Sequence, residues 1–190
     1  MESTFDSHDL VTLAEVLKLN STLIEIDLSY CLFRFPDVVL TLSEAFKINY
    51  SIRVINLGFN KTDGTCAIAL ADALKFNSSI SRLDLPFNLI GQSGAIALAE
   101  AFKVNVSLRF INLMENSISD VGAIAIAEAL QINSRITKII LYSNEIGDEG
   151  VVALAETLTV NSSITCTRIE LGDNYISDEG VLALISDDHI

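Results

Sequence analysis

An asparagine recurs every 28 residues along the chain, at Asn60, Asn88, Asn116 and Asn144. The register extends forward to Asn174 across a two-residue insertion near Thr165, and back to Cys31 across a one-residue insertion. Each position ends the pattern L-x-x-L-x-L-x-x-N/C. The instances are LIEIDLSYC (23–31), IRVINLGFN (52–60), ISRLDLPFN (80–88), LRFINLMEN (108–116), ITKIILYSN (136–144) and CTRIELGDN (166–174). A period this regular constrains the fold more than any other feature. One 28-residue unit cannot bury its own apolar face, so successive units must stack on one another.

Within a unit, apolar residues first alternate with polar ones, as in a short strand. The alternation sends Leu83 and Leu85 inward and turns Arg82 and Asp84 to solvent. The terminal Asn or Cys is expected to turn inward, where a carboxamide can satisfy backbone groups of its own turn and of the neighbouring unit. A column of such side chains, Cys31, Asn60, Asn88, Asn116, Asn144 and Asn174, would form a ladder. Ala67, Leu70, Ala71 and Leu74 then fall at i, i+3, i+4 and i+7, one face of a helix. The same offsets recur as Ala95, Leu98, Ala99, Phe102, as Ala123, Ile126, Ala127, Leu130, and as Val151, Leu154, Ala155, Leu158. Gly94, Gly122, Gly150 and Gly180 are expected to open these helices behind capping residues such as Ser119 and Asp120. Asn49, Asn77, Asn105, Asn133 and Asn161 are expected to close them in the left-handed conformation.

Strands stack about 4.8 Å apart, whereas packed helices need roughly 8–10 Å. The two layers cannot match, so the stack curves with the sheet inside. The fold class is α/β: a right-handed horseshoe segment with a concave parallel sheet and convex helices. These uniform 28-residue units, with helices of the type GAIALAEAFKVN, resemble the ribonuclease-inhibitor-like class of leucine-rich repeats. That class is found in ribonuclease inhibitor, NOD-like receptors and Ran GTPase-activating protein. The resemblance runs from about Ser7 to Ile190; it implies the fold and assigns no function, since such relatives share the scaffold and differ in partner.

Residues 1–190 read as a single domain. A capping helix (7–20) carries Leu10, Leu13, Ala14 and Leu17, six strand-bearing repeats span 21–174, and a second capping helix spans 175–190. Asp188 stands where Leu158 and Leu130 stand in earlier helices, as suits a terminal unit facing water. A piece of a longer solenoid is the alternative.

A net charge of −13 disfavours nucleic acid and anionic membrane surfaces. No apolar run is long enough to span a bilayer, and the acidic start lacks a secretory signal. Three cysteines (Cys31, Cys66, Cys166) without metal-ligand spacing point to a reduced, cytoplasmic protein, the nucleus not excluded. A monomer is expected. Cys66, at the helix-opening glycine position, reads as a small packed residue.

Catalytic residues, metal and cofactor are expected to be none. There is no G-x-x-x-x-G-K-Ser/Thr loop, and His8 and His189 lie at opposite ends. The candidate site is instead the concave face, with Tyr30, Phe59, Arg82, Asp84, Phe87, Phe110, Asn112, Met114, Lys138 and Tyr142 as contacts for a partner protein. Its outward positions carry five basic residues (Arg53, Arg82, Arg109, Lys138, Arg168) and six acidic ones (Glu25, Asp27, Asp84, Glu115, Glu170, Asp173), so it is nearly neutral. Tyr30, Phe59 and Phe87 occupy equivalent places and should stack at the sheet's end, either as interface anchors or as an edge closing the core.

The acidic column Glu15, Glu44, Asp72, Glu100, Glu128, Glu156 precedes Lys18, Lys47, Lys75 and Lys103 at ion-pair spacing and reads as a solvated convex face. Asn20, Asn49, Asn60, Asn77, Asn105 and Asn161 sit in N-x-Ser/Thr sequons, which read as a by-product of the repeat. A regulator resembling Ran GTPase-activating protein is one alternative function, although its acidic tail is unmatched. An inhibitor resembling ribonuclease inhibitor is another, although that protein is cysteine-rich with an acidic concavity.

Overall fold

The computed structural model describes residues 7–31, 36–160, 166 and 168–185. Asn161, Asp188 and His189 lie outside the described residues. Helices and strands alternate as α1 (Ser7–Leu19), β1 (Glu25–Asp27), α2 (Pro36–Ile48), β2 (Val54–Asn56), α3 (Gly64–Phe76), β3 (Arg82–Asp84), α4 (Gly91–Val104), β4 (Phe110–Asn112), α5 (Ser119–Ile132), β5 (Lys138–Ile140), α6 (Asp148–Val160), β6 (Arg168–Glu170) and α7 (Asp178–Ile185). The strands form one parallel sheet in sequence order, and each helix packs on its neighbours in the chain.

The register is strict: Ile26, Ile55, Leu83, Ile111, Ile139 and Ile169 form one row across the sheet. This row and the next apolar row (Leu28, Leu57, Leu85, Leu113, Leu141) meet the helix faces carrying Leu70, Leu98 and Ile126; all are buried except Ile169, which is partly buried. Burying a side chain of this size contributes on the order of 1.5–3 kcal/mol, so the continuous apolar layer drives stacking. Leu158 departs from its expected burial and is 46% exposed. It lies near the C-terminal end of α6.

The asparagine ladder forms as the spacing predicts. Asn116 Nδ2 donates to its own turn at Leu113 O (3.1 Å) and Met114 O (2.9 Å), and to Leu85 O of the preceding repeat at 2.8 Å. Asn144 Oδ1 in turn accepts from Asn116 N at 3.0 Å. Asn88 and Asn174 repeat the arrangement, bonding back to Leu57 O and Leu141 O. Asn60 Nδ2 reaches Leu28 O at 2.7 Å. Cys31 takes the first place in the column as a buried thiol whose Sγ donates to Ser29 O.

The helix-closing asparagines are not left-handed. Asn77, Asn105 and Asn133 have φ of −75°, −72° and −79° with extended ψ. They close the helix with their side chains, forming a second column on the far side of each repeat. Asn105 Nδ2 donates to Leu74 O (2.7 Å) and Asn77 O (2.9 Å) of the preceding repeat, while its Oδ1 accepts from Ser107 N and Leu108 N. Asn49, Asn77 and Asn133 do the same. An extended backbone aims the carboxamide inward, where a left-handed one would reverse the chain.

Left-handed residues occur instead just before the ladder position, at Tyr30, Phe59, Phe87, Glu115, Ser143 and Asp173, with φ between 52° and 60°.

The glycines also differ from expectation. Gly94, Gly122, Gly150 and Gly180 sit inside the first helical turn rather than opening it. They are small because neighbouring helices approach closely: a Cβ on Gly94 would stand 2.8 Å from Ala67 Cβ. Ser119 does not cap α5, whose start has no side-chain cap. Its N–H donates to Asn144 O, and Asp120 Oδ1 accepts from Gly147 N (2.7 Å) and Gly150 N (2.9 Å) at the start of α6. Most described helix starts are thus satisfied across repeats, whereas Asp63 caps its own helix through Cys66 N.

Replacing Asn88, Asn105 or Asn116 by Ala strands two or more buried backbone groups. At about 1–3 kcal/mol for each stranded group, each variant is expected to lose at least about 2 kcal/mol, read by urea unfolding. Asn105→Ala is expected to cost as much as Asn116→Ala, because both columns do the same work.

Candidate functional site

The concave surface is built from two outward rows. One runs Glu25, Val54, Arg82, Phe110, Lys138, Arg168, and the other Asp27, Asn56, Asp84, Asn112, Ile140, Glu170. The second row has a local task. The Oδ1 atoms of Asp27, Asn56 and Asn112 accept from the N–H two residues on, at Ser29, Gly58 and Met114. These turns end the strands. At the equivalent place in the third repeat stands Pro86, which has no N–H.

The Asp84 carboxylate is therefore free to take Arg82 in a fork, Nε to Oδ2 at 2.6 Å and Nη2 to Oδ1 at 3.2 Å. Asp84 is 6% exposed, which corrects its expected place in solvent. The guanidinium lies 4.3 Å above the Phe110 ring, and Lys138 Nζ lies 5.4 Å from the same ring.

Lys138 also bonds Glu170 at 2.9 Å, and Arg168 bonds Glu170 at 2.8 Å. Lys138 holds the Glu170 carboxyl below the usual range, against a smaller opposing effect of burial and with help from Arg168. The cations of the central and C-terminal rows are thus matched within the chain. What the face offers outward is ring surface and hydrogen-bonding groups around a shallow cleft of about 400 Å³ lined by Glu25, Val54, Asn56, Arg82, Asp84, Pro86 and Asn112.

Beyond the strand ends stand the aromatics. The Tyr30 and Phe59 ring centroids are 4.2 Å apart at 11°, and those of Phe59 and Phe87 are 4.3 Å apart at 13°. The left-handed backbone explains this placement. Each of these residues donates its N–H to the next repeat, Tyr30 to Gly58 O, Phe59 to Pro86 O and Phe87 to Met114 O, so the ladder of the sheet continues past the strand. Equivalent positions are thereby held at nearly the strand spacing, and the rings lean together.

Tyr30 is 56% and Phe87 42% exposed. A ring in a left-handed backbone costs about 1–2 kcal/mol, while a stacked pair returns only about 0.5–1.5 kcal/mol. Phe59, stacked between Tyr30 and Phe87, is half-buried.

Met114 and Tyr142 are half-buried. Tyr142 lies against Gly172, where a Cβ would meet Cδ2 at 2.7 Å, and its hydroxyl donates to Asp173, a bond that raises the phenol pKa. Tyr142 and Met114 therefore stand apart from the stacked ridge. The convex face is solvated, with Lys18–Glu15 (2.5 Å), Lys75–Asp72 (2.8 Å) and Lys103–Glu100 (2.6 Å) paired as spaced. Lys47 Nζ lies 4.8 Å over the Phe76 ring. Among the described residues, no group of three His, Cys, Asp or Glu side chains is arranged to hold a metal ion.

A family model described as "Leucine Rich repeat" matches residues 76–99, 104–127, 133–155 and 163–184. The chain is a leucine-rich-repeat protein. Its repeats extend N-terminally of those stretches through β1 and β2, in unbroken register. Among solved structures it resembles "Leiomodin-1 Actin-Binding Site 2 (ABS2)", with TM-score 0.70 and 21% identity, over 82% of this chain and 90% of that one. It also resembles the tropomodulin C-terminal domain of Caenorhabditis elegans, with TM-score 0.66 and 15% identity, over 80% and 92%. At these identities the likeness concerns the fold. No curated protein matches the sequence.

Glu170 supplies a pH test. Its depressed carboxyl adds stability above the ordinary carboxylate pKa, and that stability is lost as pH falls through the folded-state value. Replacing Lys138 by Met is expected to raise the Glu170 midpoint toward the ordinary range, followed by NMR titration. An unchanged midpoint would show that the pair is not formed.

Proposed function

We propose that this leucine-rich-repeat protein, of the ribonuclease-inhibitor-like class, is a non-enzymatic module that holds a partner protein on its concave sheet. The supporting observation is the stacked ridge of Tyr30, Phe59 and Phe87, exposed at Tyr30 and Phe87 and half-buried at Phe59. It adjoins a face where Arg82, Lys138 and Arg168 are already matched by carboxylates. A partner gains contact area there without having to satisfy those charges, and clustered rings are favoured interface anchors.

Phe110, with cations at both sides, extends this surface into the sheet, and Asn112, Asp84 and Arg82 border the cleft. Lys138, Met114 and Tyr142 form its flank. The domain works as one unit over 1–190, as a monomer, with no cofactor, nucleic acid or membrane among its ligands. Three cysteines, all buried, suit the cytoplasm. The leiomodin-1 structure is described as an actin-binding site, which makes actin the first partner to test.

Binding of actin, or of a partner recovered by affinity purification, is to be measured for Phe59→Ala, Phe87→Ala and Phe110→Ala beside Glu100→Ala and Lys103→Ala. The ring variants should lose about 2 kcal/mol or more, roughly thirtyfold in affinity, and the helix variants little. Loss confined to Glu100→Ala and Lys103→Ala would place the interface on the convex face.

A further inference from the structure

We propose that this fold and N-glycosylation exclude one another, so that the chain folds in a compartment without oligosaccharyl transfer. The inference deepens the cytoplasmic placement above and does not depend on which face binds a partner.

Glycosyl transfer to a sequon breaks the bond between sugar C1 and the pyrophosphate of a lipid-linked oligosaccharide and forms a C1–Nδ2 bond. Nδ2 gives up one hydrogen as a proton, and the lipid pyrophosphate leaves. The sugar is bulky and needs a surface position. Asn49, Asn60, Asn77 and Asn105 all sit in sequons, and all are between 0% and 4% exposed. Each Nδ2 uses its two hydrogens on two backbone carbonyls. Asn49 reaches Leu17 O and Asn20 O, Asn60 reaches Leu28 O and Leu57 O, Asn77 reaches Phe46 O and Asn49 O, and Asn105 reaches Leu74 O and Asn77 O.

A glycosylated Nδ2 keeps one hydrogen, so one carbonyl loses its donor. The sugar would also occupy the space of the adjoining repeat. The unfolded chain alone can carry such a group, and a modification borne only by the unfolded state removes chains from the folded one.

The motif overlaps the helix-closing contacts without being required for them, since Asn133 makes the same contacts with Arg135 two residues on. In the second column, the hydroxyl two residues after the asparagine bonds to its Oδ1, Ser51 to Asn49 at 3.1 Å, Ser79 to Asn77 at 3.2 Å and Ser107 to Asn105 at 3.2 Å. The residues that close the helix are thus the residues a transferase reads. Asn20 differs: it is half-buried, and its Nδ2 approaches Thr22 Oγ1 at 3.4 Å. A sugar there is compatible with the fold, which makes it an internal control.

The full chain is to be expressed behind a secretory signal in glycosylating cells, with and without an inhibitor of oligosaccharyl transfer. A parallel variant carries Ser51→Ala, Thr62→Val, Ser79→Ala, Ser107→Ala and Ser163→Ala. The unmodified chain without inhibitor should carry sugar at Asn49, Asn60, Asn77 and Asn105 by peptide mass mapping, and should be retained and protease-sensitive. Under the inhibitor the same chain should be secreted folded, at least tenfold more abundantly, and the variant should match it without inhibitor. Folded, protease-resistant secreted chain bearing sugar at any of the four would overturn the proposal. So would folded secretion of sugar-free chain without inhibitor, or equal retention of the chain when transfer is blocked.

Discussion

Buried backbone groups that neither strand nor helix can satisfy govern this structure. Each described strand is three residues long and is followed by a helix, so many backbone N–H and C=O groups lie at element ends inside the stack. Left unpaired, each costs about 1–3 kcal/mol. Two columns of asparagine meet this need, one after the strand and one after the helix. A carboxamide suits both places because it is two donors and an acceptor on a short arm. In each column Nδ2 reaches the preceding repeat while Oδ1, except at Asn60, serves its own turn or the repeat before it. The columns therefore fasten repeats to one another as well as closing each turn.

The candidate binding surface follows from the same geometry. Since the strand-end column faces inward, the residue before it takes a left-handed conformation and points its side chain away from the core. In three successive repeats that residue is aromatic, and the ladder holds the rings in stacking range. Pro86 has a comparable indirect effect, because removing one turn N–H releases Asp84 to hold Arg82 over Phe110. Neither contact arises from the binding residues alone; both depend on how the strand ends.

The period and the alternation of apolar residues were enough to read the repeat, the parallel sheet, the first asparagine column and the aromatic stack. Each rests on one residue type recurring at one spacing. The helix ends were not legible in the same way. Asn77 and Asn105 look like left-handed caps in sequence, but an extended backbone with an inward carboxamide serves the same end. Only the neighbouring repeat's carbonyls decide between them. Gly94 and Gly122 look like helix openers, yet they answer to a helix one repeat away. Asp120 likewise caps the next helix, not its own. Asp84 could have been placed correctly from the Pro86 two residues on. The second column also had a visible signal in the Ser that follows at i+2, which the sequon masks as a modification motif.

The most direct test is amide hydrogen exchange on Asn144→Ala. Asn144 Oδ1 accepts from the N–H groups of Asn116 and Ile118, one repeat earlier. If the columns fasten repeats together, exchange at Asn116 and Ile118 should accelerate by at least tenfold, while the earlier repeats containing Asn60 and Asn88 stay protected. Exchange that quickens only around Asn144, with Asn116 and Ile118 unchanged, would contradict the account.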